Sequence, residues 1–303
     1  MKYGLLIEFG AKCSNFGDYV QSIAIEYLYT KIMKIPQEEI VHITASELST
    51  YEGEALILPY SYVMHLLVFP EYKKVKLSPN INLVFLGGSF SFTQFGNQYP
   101  IDRVLDRNNG WIDMFRKFAP VGCRDAYTYS VLQKLSIPAY LGGCITNILP
   151  QRPNFQERHK KKILLVDLTT DIFPYIPSEI LENATVMTQY EENGKLTVEE
   201  NYQRAKERYL FYSDADLIIS SRYHMVTPCN AMGVPCIFVN RNINYYQRDI
   251  RLDTLNPTIQ FCSTDHAEEI NWHPVPVQFD RLKEKVTELA AKCVKDAFLR
   301  YSQ

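Results

Sequence analysis

The segment Ser220-Ser221-Arg222-Tyr223-His224 concentrates the residue types best able to do chemistry in this chain of 303 residues. A guanidinium and a titratable imidazole stand two residues apart beside two hydroxyls, so one turn offers both an anion clamp and a general acid or base. A lone histidine in such a loop is often structural, and it is Arg222 that favours function. Three other segments offer related groups. Arg124-Asp125 sets a guanidinium suited to a carboxylate or phosphate at a helix start, with an internal salt bridge as the competing reading. Gly87-Gly88-Ser89 lets a ligand approach the backbone and adds a hydroxyl, although paired glycines also simply turn a chain. In Ser14-Asn15-Phe16-Gly17-Asp18 a glycine and a helix start expose backbone N–H groups to anions, and Asp18 equally reads as a helix cap.

Other chemistries are excluded by what the sequence lacks. His65 falls in an apolar run and reads as core, His159 lies in a basic stretch, and His42, His266 and His273 have no chemical neighbours, so no metal site is expected. Seven cysteines, odd in number and without a CxxC pair, indicate neither a disulfide framework nor zinc, and favour a reducing compartment. There is no GxSxG elbow, Walker A loop or GxGxxG fingerprint, which argues against a serine hydrolase, a P-loop kinase and an ordinary dinucleotide enzyme. A formal net charge of −2 gives no drive toward nucleic acid. The start, Met1-Lys2-Tyr3-Gly4, enters a strand without the features of a signal peptide, and no apolar run approaches the ~20 residues of a membrane span. A cytoplasmic protein is the expectation.

The elements that must hold these loops follow from periodicity. Short apolar runs alternate with helix-period segments, the pattern of βα units on parallel sheets. Strands are predicted at Tyr3 to Phe9, Ala55 to Leu58, Leu83 to Leu86, Pro120 to Cys123 and Pro138 to Leu141. Later strands are predicted at Ile163 to Val166, Ala184 to Thr188, Asp216 to Ile219, Cys236 to Val239 and Thr258 to Phe261. Helices are expected over Tyr19 to Met33 from Asp18, through Leu135 from Asp125, and over Val198 to Tyr212 from a Thr197/Glu200 capping box. Proline and charge from Pro150 to Lys162 read as a linker, giving domains 1–155 and 156–303, with a terminal helix, Phe279 to Tyr301, able to lie on either. The fold class is thus α/β, two Rossmann-like domains with a cleft between them, and the four reactive segments all follow strands. Leu86-Gly87-Gly88 and Leu141-Gly142-Gly143 form a faint echo, read as two glycine turns.

At these loops the sequence resembles the polysaccharide pyruvyl transferase family. Asn15-Phe16-Gly17-Asp18-Tyr19-Val20-Gln21 is similar to its N-x-G-D motif, Leu86 to Ser89 to its glycine loop, and Arg124-Asp125 with Thr128 to its R-D-x-x-T/S helix start. Gly143-Cys144 and Ser221-Arg222-Tyr223-His224, followed by Ala231 to Pro235, resemble the G-C turn and the S-R-L-H…A-x-G-x-P signature, with Tyr223 in place of leucine. The resemblance implies a GT-B-like domain pair and transfer of the enolpyruvyl group of phosphoenolpyruvate to a sugar, forming a pyruvate ketal in polysaccharide biosynthesis. On that reading Arg222 and Arg124, with Ser220 and Ser221, hold the donor, and His224 protonates its methylene carbon. Asn15, Gly17 and Asp18 with Gly87, Gly88 and Ser89 line the cleft. No cofactor or metal is implied beyond phosphoenolpyruvate as donor substrate, and the saccharide acceptor is free or lipid-linked, the latter bringing the enzyme to the inner membrane face. The alternatives are a GT-B glycosyltransferase using a nucleotide-sugar and a non-catalytic saccharide-binding protein of the same fold.

Overall fold

The apolar runs become parallel strands in a computed structural model that describes residues 1–8, 14–62, 76–90, 110–152, 161–191, 196–239, 259–262, 264–275 and 280–302. Cys13, His65 with its apolar run, and His159 with most of the basic linker lie outside the described residues. The chain divides into two units, one of Met1–Ala11, Gln21–Ile145 and Glu284–Gln303, the other of Lys12–Val20 and Thr146–Lys283. Both are mixed α/β units with parallel sheets.

In the first unit β1 (Lys2–Glu8), β3 (Ile40–Thr44), β4 (Leu56–Tyr60) and β5 (Ile81–Phe85) pair in parallel in the order β3-β1-β4-β5. β6 (Val121–Cys123) and β7 (Ala139–Leu141) form a second parallel pair, linked to the turn after β5 by a Gly88–Cys123 bridge. Every residue of β4 is buried, as expected of a strand covered on both faces. An aromatic cluster closes the core, with Trp111 and Phe115 of α2 (Trp111–Lys117) 5.2 Å apart and Phe85 5.3 Å from Phe115. Strand β3 was not expected from the sequence. Only Ile43 of its five residues is buried, so it carries little apolar signal and is fixed by pairing with β1.

The second unit holds β8 (Ile163–Val166), β9 (Ala184–Met187), β11 (Leu217–Ser220), β12 (Cys236–Val239) and β13 (Gln260–Cys262), in parallel order β13-β12-β11-β8-β9. Its central strands β8, β11 and β12 are wholly buried, which explains their unbroken apolar runs. A two-stranded antiparallel ribbon, β2 (Ser14–Asn15) with β10 (Tyr190–Glu191), completes the unit.

Caps fix the helix starts. Asp125 accepts the Thr128 N–H at 2.7 Å and opens α3 (Ala126–Lys134) as expected, and Thr197 with Glu200 forms the predicted capping box of α5 (Val198–Ser213). Helix α1 (Phe16–Tyr27) starts three residues earlier than expected, because Asn15 Oδ1 accepts the Gly17 N–H at 3.1 Å and takes the capping role from Asp18. Asp18 instead lies in the first helical turn, where its charge meets the positive end of the helix dipole.

The division differs from the expected 1–155 and 156–303 in three places. Residues 12–20 group with the second unit, held by the β2–β10 ribbon, and that unit resumes at Thr146, where Arg152 donates its backbone N–H to Met232 O at 2.9 Å. Residues 284–303 of the terminal helix α7 (Asp280–Tyr301) group with the first unit. There Phe298 stacks on Tyr3 at 4.9 Å, Cys293 Sγ lies 3.2 Å from the Tyr140 hydroxyl, and Arg300 donates to Ala119 O at 2.9 Å. Among the described residues no helix is long and apolar enough to cross a membrane.

Candidate functional site

In the second unit the chain leaves β8 toward β9 on one side and β11 toward β12 on the other, so the strand order reverses between β8 and β11. Ligands of open parallel sheets bind beyond the strand ends at such a reversal. The residues that follow the two strands there are Asp167 and the Ser221 to His224 segment. Arg222 Nε donates to Asp167 Oδ2 at 2.9 Å, and the guanidinium lies 4.6 Å from the centroid of the Tyr190 ring. Its Nη1 and Nη2 groups donate to no partner among the described residues, and the side chain keeps a quarter of its surface exposed. The two serines serve the turn itself. Ser220 Oγ donates to Val166 O at 2.9 Å and accepts the Arg222 N–H, and Ser221 Oγ donates to Asp167 O. Their hydroxyl protons are therefore spent on the backbone and do not face a ligand as the sequence reading placed them.

His224 lies two residues on, at a kink in the first turn of α6 (Tyr223–Ala231), with ψ 15° where a helix would need a negative value. Its carbonyl, freed by the kink, accepts from the Tyr209 hydroxyl and from Gln189 Nε2 at 3.5 Å. Burial holds the Tyr209 phenol well above its ordinary range, with Cys229, Tyr212 and Asp18 adding to the effect against a lowering by Gln189, so this donor keeps its proton. The imidazole meets the Tyr223 ring edge-on at 5.4 Å, and its Nε2 is shielded from solvent.

The N-x-G-D segment is brought to the same place from 200 residues away. Phe16 donates its N–H to Gln189 O at 3.0 Å, and a Cβ on Gly17 would lie 3.0 Å from Gln189 Oε1, 3.1 Å from Asn15 Oδ1 and 3.3 Å from His224 Cβ. That close approach is the reason for glycine here. Asn15, Gly17, Asp18, Arg222 and His224 thus share one unit.

The other motif residues form a separate knot in the first unit. Gly87 and Gly88 both donate their N–H groups to Gly122 O, and Gly142 and Gly143 both donate to Cys123 O, so the two glycine turns repeat one device against consecutive residues of β6. Gly87, at φ +88°, would drive a Cβ to 2.3 Å from Gly143 O. Ser89 Oγ donates to Asp125 Oδ2 at 2.6 Å, and Thr128 Oγ1 accepts the Phe90 N–H at 2.8 Å. Arg124 has no exposed surface, and it donates Nε to Gly87 O at 3.2 Å and Nη2 to Gln21 Oε1 and Ser61 O, each at 2.6 Å. The sequence assigns Arg124 to the donor and Gly87 to Ser89 to a ligand-facing wall. In the structure Arg124 donates to Gly87 O, Gln21 and Ser61 O, and Ser89 donates to Asp125, so these groups serve the buried turns after β5 and β6.

Asp167, Gln189, Tyr190 and Tyr209 were missed by sequence reasoning. Asp167 carries a legible signal, since it directly follows a predicted strand. Gln189 and Tyr190 carry none, because a two-residue ribbon places them. Among the described residues no three His, Cys, Asp or Glu side chains converge as metal ligands would.

The family model described as polysaccharide pyruvyl transferase matches residues 15–242, a span that includes all these site residues. No curated protein matches the chain. Among solved structures, a functionally uncharacterized protein from Klebsiella pneumoniae is 12% identical, with 86% of this chain and 92% of that one covered and a TM-score of 0.44. The wall teichoic acid polymerase TagF is 10% identical, with 99% and 90% covered and the same TM-score of 0.44.

Proposed function

The chain belongs to the polysaccharide pyruvyl transferase family, and from that membership we propose that it moves the enolpyruvyl group of phosphoenolpyruvate onto two hydroxyls of a saccharide. The product is a pyruvate ketal and the leaving group is phosphate. The observation that carries this reading is the Nη edge of Arg222, which has no partner among the described residues, two residues before His224 at the point where the strand order of the second unit reverses. Arg222 holds the donor's phosphate or carboxylate through that edge, as a planar fork suits either. His224 gives its proton to the methylene carbon, and the oxocarbenium-like C2 is attacked by the first sugar hydroxyl, whose proton returns to His224. The C2–O bond to phosphate then breaks, and the departing phosphate takes the proton of the second hydroxyl as that hydroxyl closes the ketal. Gly17, capped by Asn15 and followed by Asp18, lies against His224 and helps fix its position. We take each unit as a Rossmann-like half, and the acceptor as free or lipid-linked.

The test is phosphate release from phosphoenolpyruvate over a panel of saccharide acceptors, with His224→Ala beside the wild type. Removing a general acid costs about 10²–10⁴-fold in turnover, while donor affinity stays within about threefold. Near-normal turnover by His224→Ala would remove the acid assignment. Hydrolysis or transfer from a nucleotide-sugar, with silence toward phosphoenolpyruvate, would replace the reading with glycosyl transfer.

A further inference from the structure

We propose that Asp167 is the positioning residue of Arg222, fixing which edge of the guanidinium meets the donor anion; the inference rests on the reading of this site as a phosphoenolpyruvate site. Asp167 follows β8 in the left-handed region, at φ +53°, a strained conformation that a non-glycine residue keeps only where its surroundings hold it. In that conformation the N–H, the carbonyl and Oδ2 of Asp167 all bond around the turn that carries Arg222. Its N–H donates to Met187 O at 3.0 Å, its carbonyl accepts from Ser221 Oγ, and Oδ2 accepts from Gln189 N at 3.2 Å as well as from Arg222 Nε at 2.9 Å. The residue therefore ties the end of β8, the ribbon that carries Tyr190 and the head of α6 to one another.

The mode of contact is what gives it a role beyond an ion pair. A carboxylate that took both Nη groups would occupy the fork an anion needs. Asp167 takes Nε alone, and the Tyr190 ring covers one flat face at 4.6 Å, so the guanidinium loses its rotational freedom while the Nη1/Nη2 edge meets no partner among the described residues. Pre-orienting a clamp in this way removes an ordering cost from donor binding and from the transition state.

A pair of substitutions separates the carboxylate from the backbone. Asp167→Gly accepts the left-handed φ but has no acceptor, whereas Asp167→Asn tolerates the same φ and keeps an oxygen for Nε. In the full-length chain, Asp167→Gly is expected to lose about tenfold or more in kcat/KM for phosphoenolpyruvate, and Asp167→Asn to stay within about threefold of wild type. NMR of the Arg222 Nε–Hε group, assigned by its loss in Arg222→Lys, should show slow exchange in wild type and Asp167→Asn and fast exchange in Asp167→Gly. Wild-type kinetics in Asp167→Gly would overturn the proposal, as would equal losses in both variants accompanied by equal falls in melting temperature. Should the wild type neither bind nor turn over phosphoenolpyruvate, the functional reading fails on its own. The positioning claim is then decided by the exchange of Nε–Hε, supported by the pattern above and overturned by identical exchange in all three proteins.

Discussion

Arg124 and Arg222 look alike in sequence, each a guanidinium at a strand end beside a helix start, and the structure separates them by burial. Arg124 is fully enclosed and hydrogen-bonded to Gly87 O, Gln21 and Ser61 O, so its first role is to hold the turns after β5 and β6. Arg124→Ala should therefore lower the unfolding free energy read from denaturant titration by about 3 kcal/mol or more, because it strands several buried acceptors, while Arg222→Ala, which strands only the Asp167 carboxylate, lowers it by about 1 kcal/mol. Equal midpoints for the two variants would refute that separation. Cys123, between Gly122 and Arg124, has its thiol pushed up to about 12, first by burial and then by the Asp125 carboxylate. A raised folded value means the thiol's contribution is whole below its unfolded value of about 8.5 and is lost as pH rises from there toward about 12. Cys123 should accordingly resist iodoacetamide at about pH 8, read by mass spectrometry of the native protein. The sequence made the Arg222 and His224 pair legible through residue type and spacing. It did not distinguish a guanidinium facing a ligand from one facing carbonyls, since both follow apolar runs of the same kind.

The helix starts at Asp125 and Thr197 were legible, because each cap is a local hydrogen bond between residues three apart, whereas the start of α1 was placed three residues late. The Thr197/Glu200 box is present as written, and Glu200 is held below the usual carboxylate range by the Thr197 backbone N–H and then by the Thr197 hydroxyl. A depressed folded value makes this contribution complete above the ordinary glutamate pKa and lost as pH falls through the lowered one. Thr197→Ala should cost about 1 kcal/mol at neutral pH, and this difference in urea midpoint should shrink in acid. A pH-independent difference would show that the carboxylate plays no part. Where the signal was not local, the sequence was silent. The β2–β10 ribbon is two residues long on each strand, yet it delivers Gln189 to Gly17 and to the His224 carbonyl. Gly17→Ala should for that reason reduce turnover far more than stability, as its Cβ must displace Gln189, Asn15 or His224. Unchanged turnover would mean that these neighbours move aside without consequence.

Over the whole molecule, the parallel α/β character was readable from alternating runs, whereas the membership of the units was not. Residues 12–20 and 284–303 each group with the unit distant in sequence, through single pairings such as Tyr190 with Asn15 and Tyr3 with Phe298 that no periodicity encodes. Deleting residues 284–303 should expose Tyr3 and Tyr140 and speed amide exchange in β1 and β7, measured by mass spectrometry; unchanged protection there would deny the helix its place in the first unit. The account as a whole rests on a donor anion held by Arg222. Isothermal titration of the purified chain with phosphoenolpyruvate, beside UDP-glucose and GDP-mannose and repeated on Arg222→Ala, tests it most directly. The account predicts binding of phosphoenolpyruvate that Arg222→Ala weakens by about 30-fold or more, the loss of a charge-assisted contact of ~2 kcal/mol. Undiminished binding in Arg222→Ala, or binding of a nucleotide-sugar with none of phosphoenolpyruvate, would contradict it.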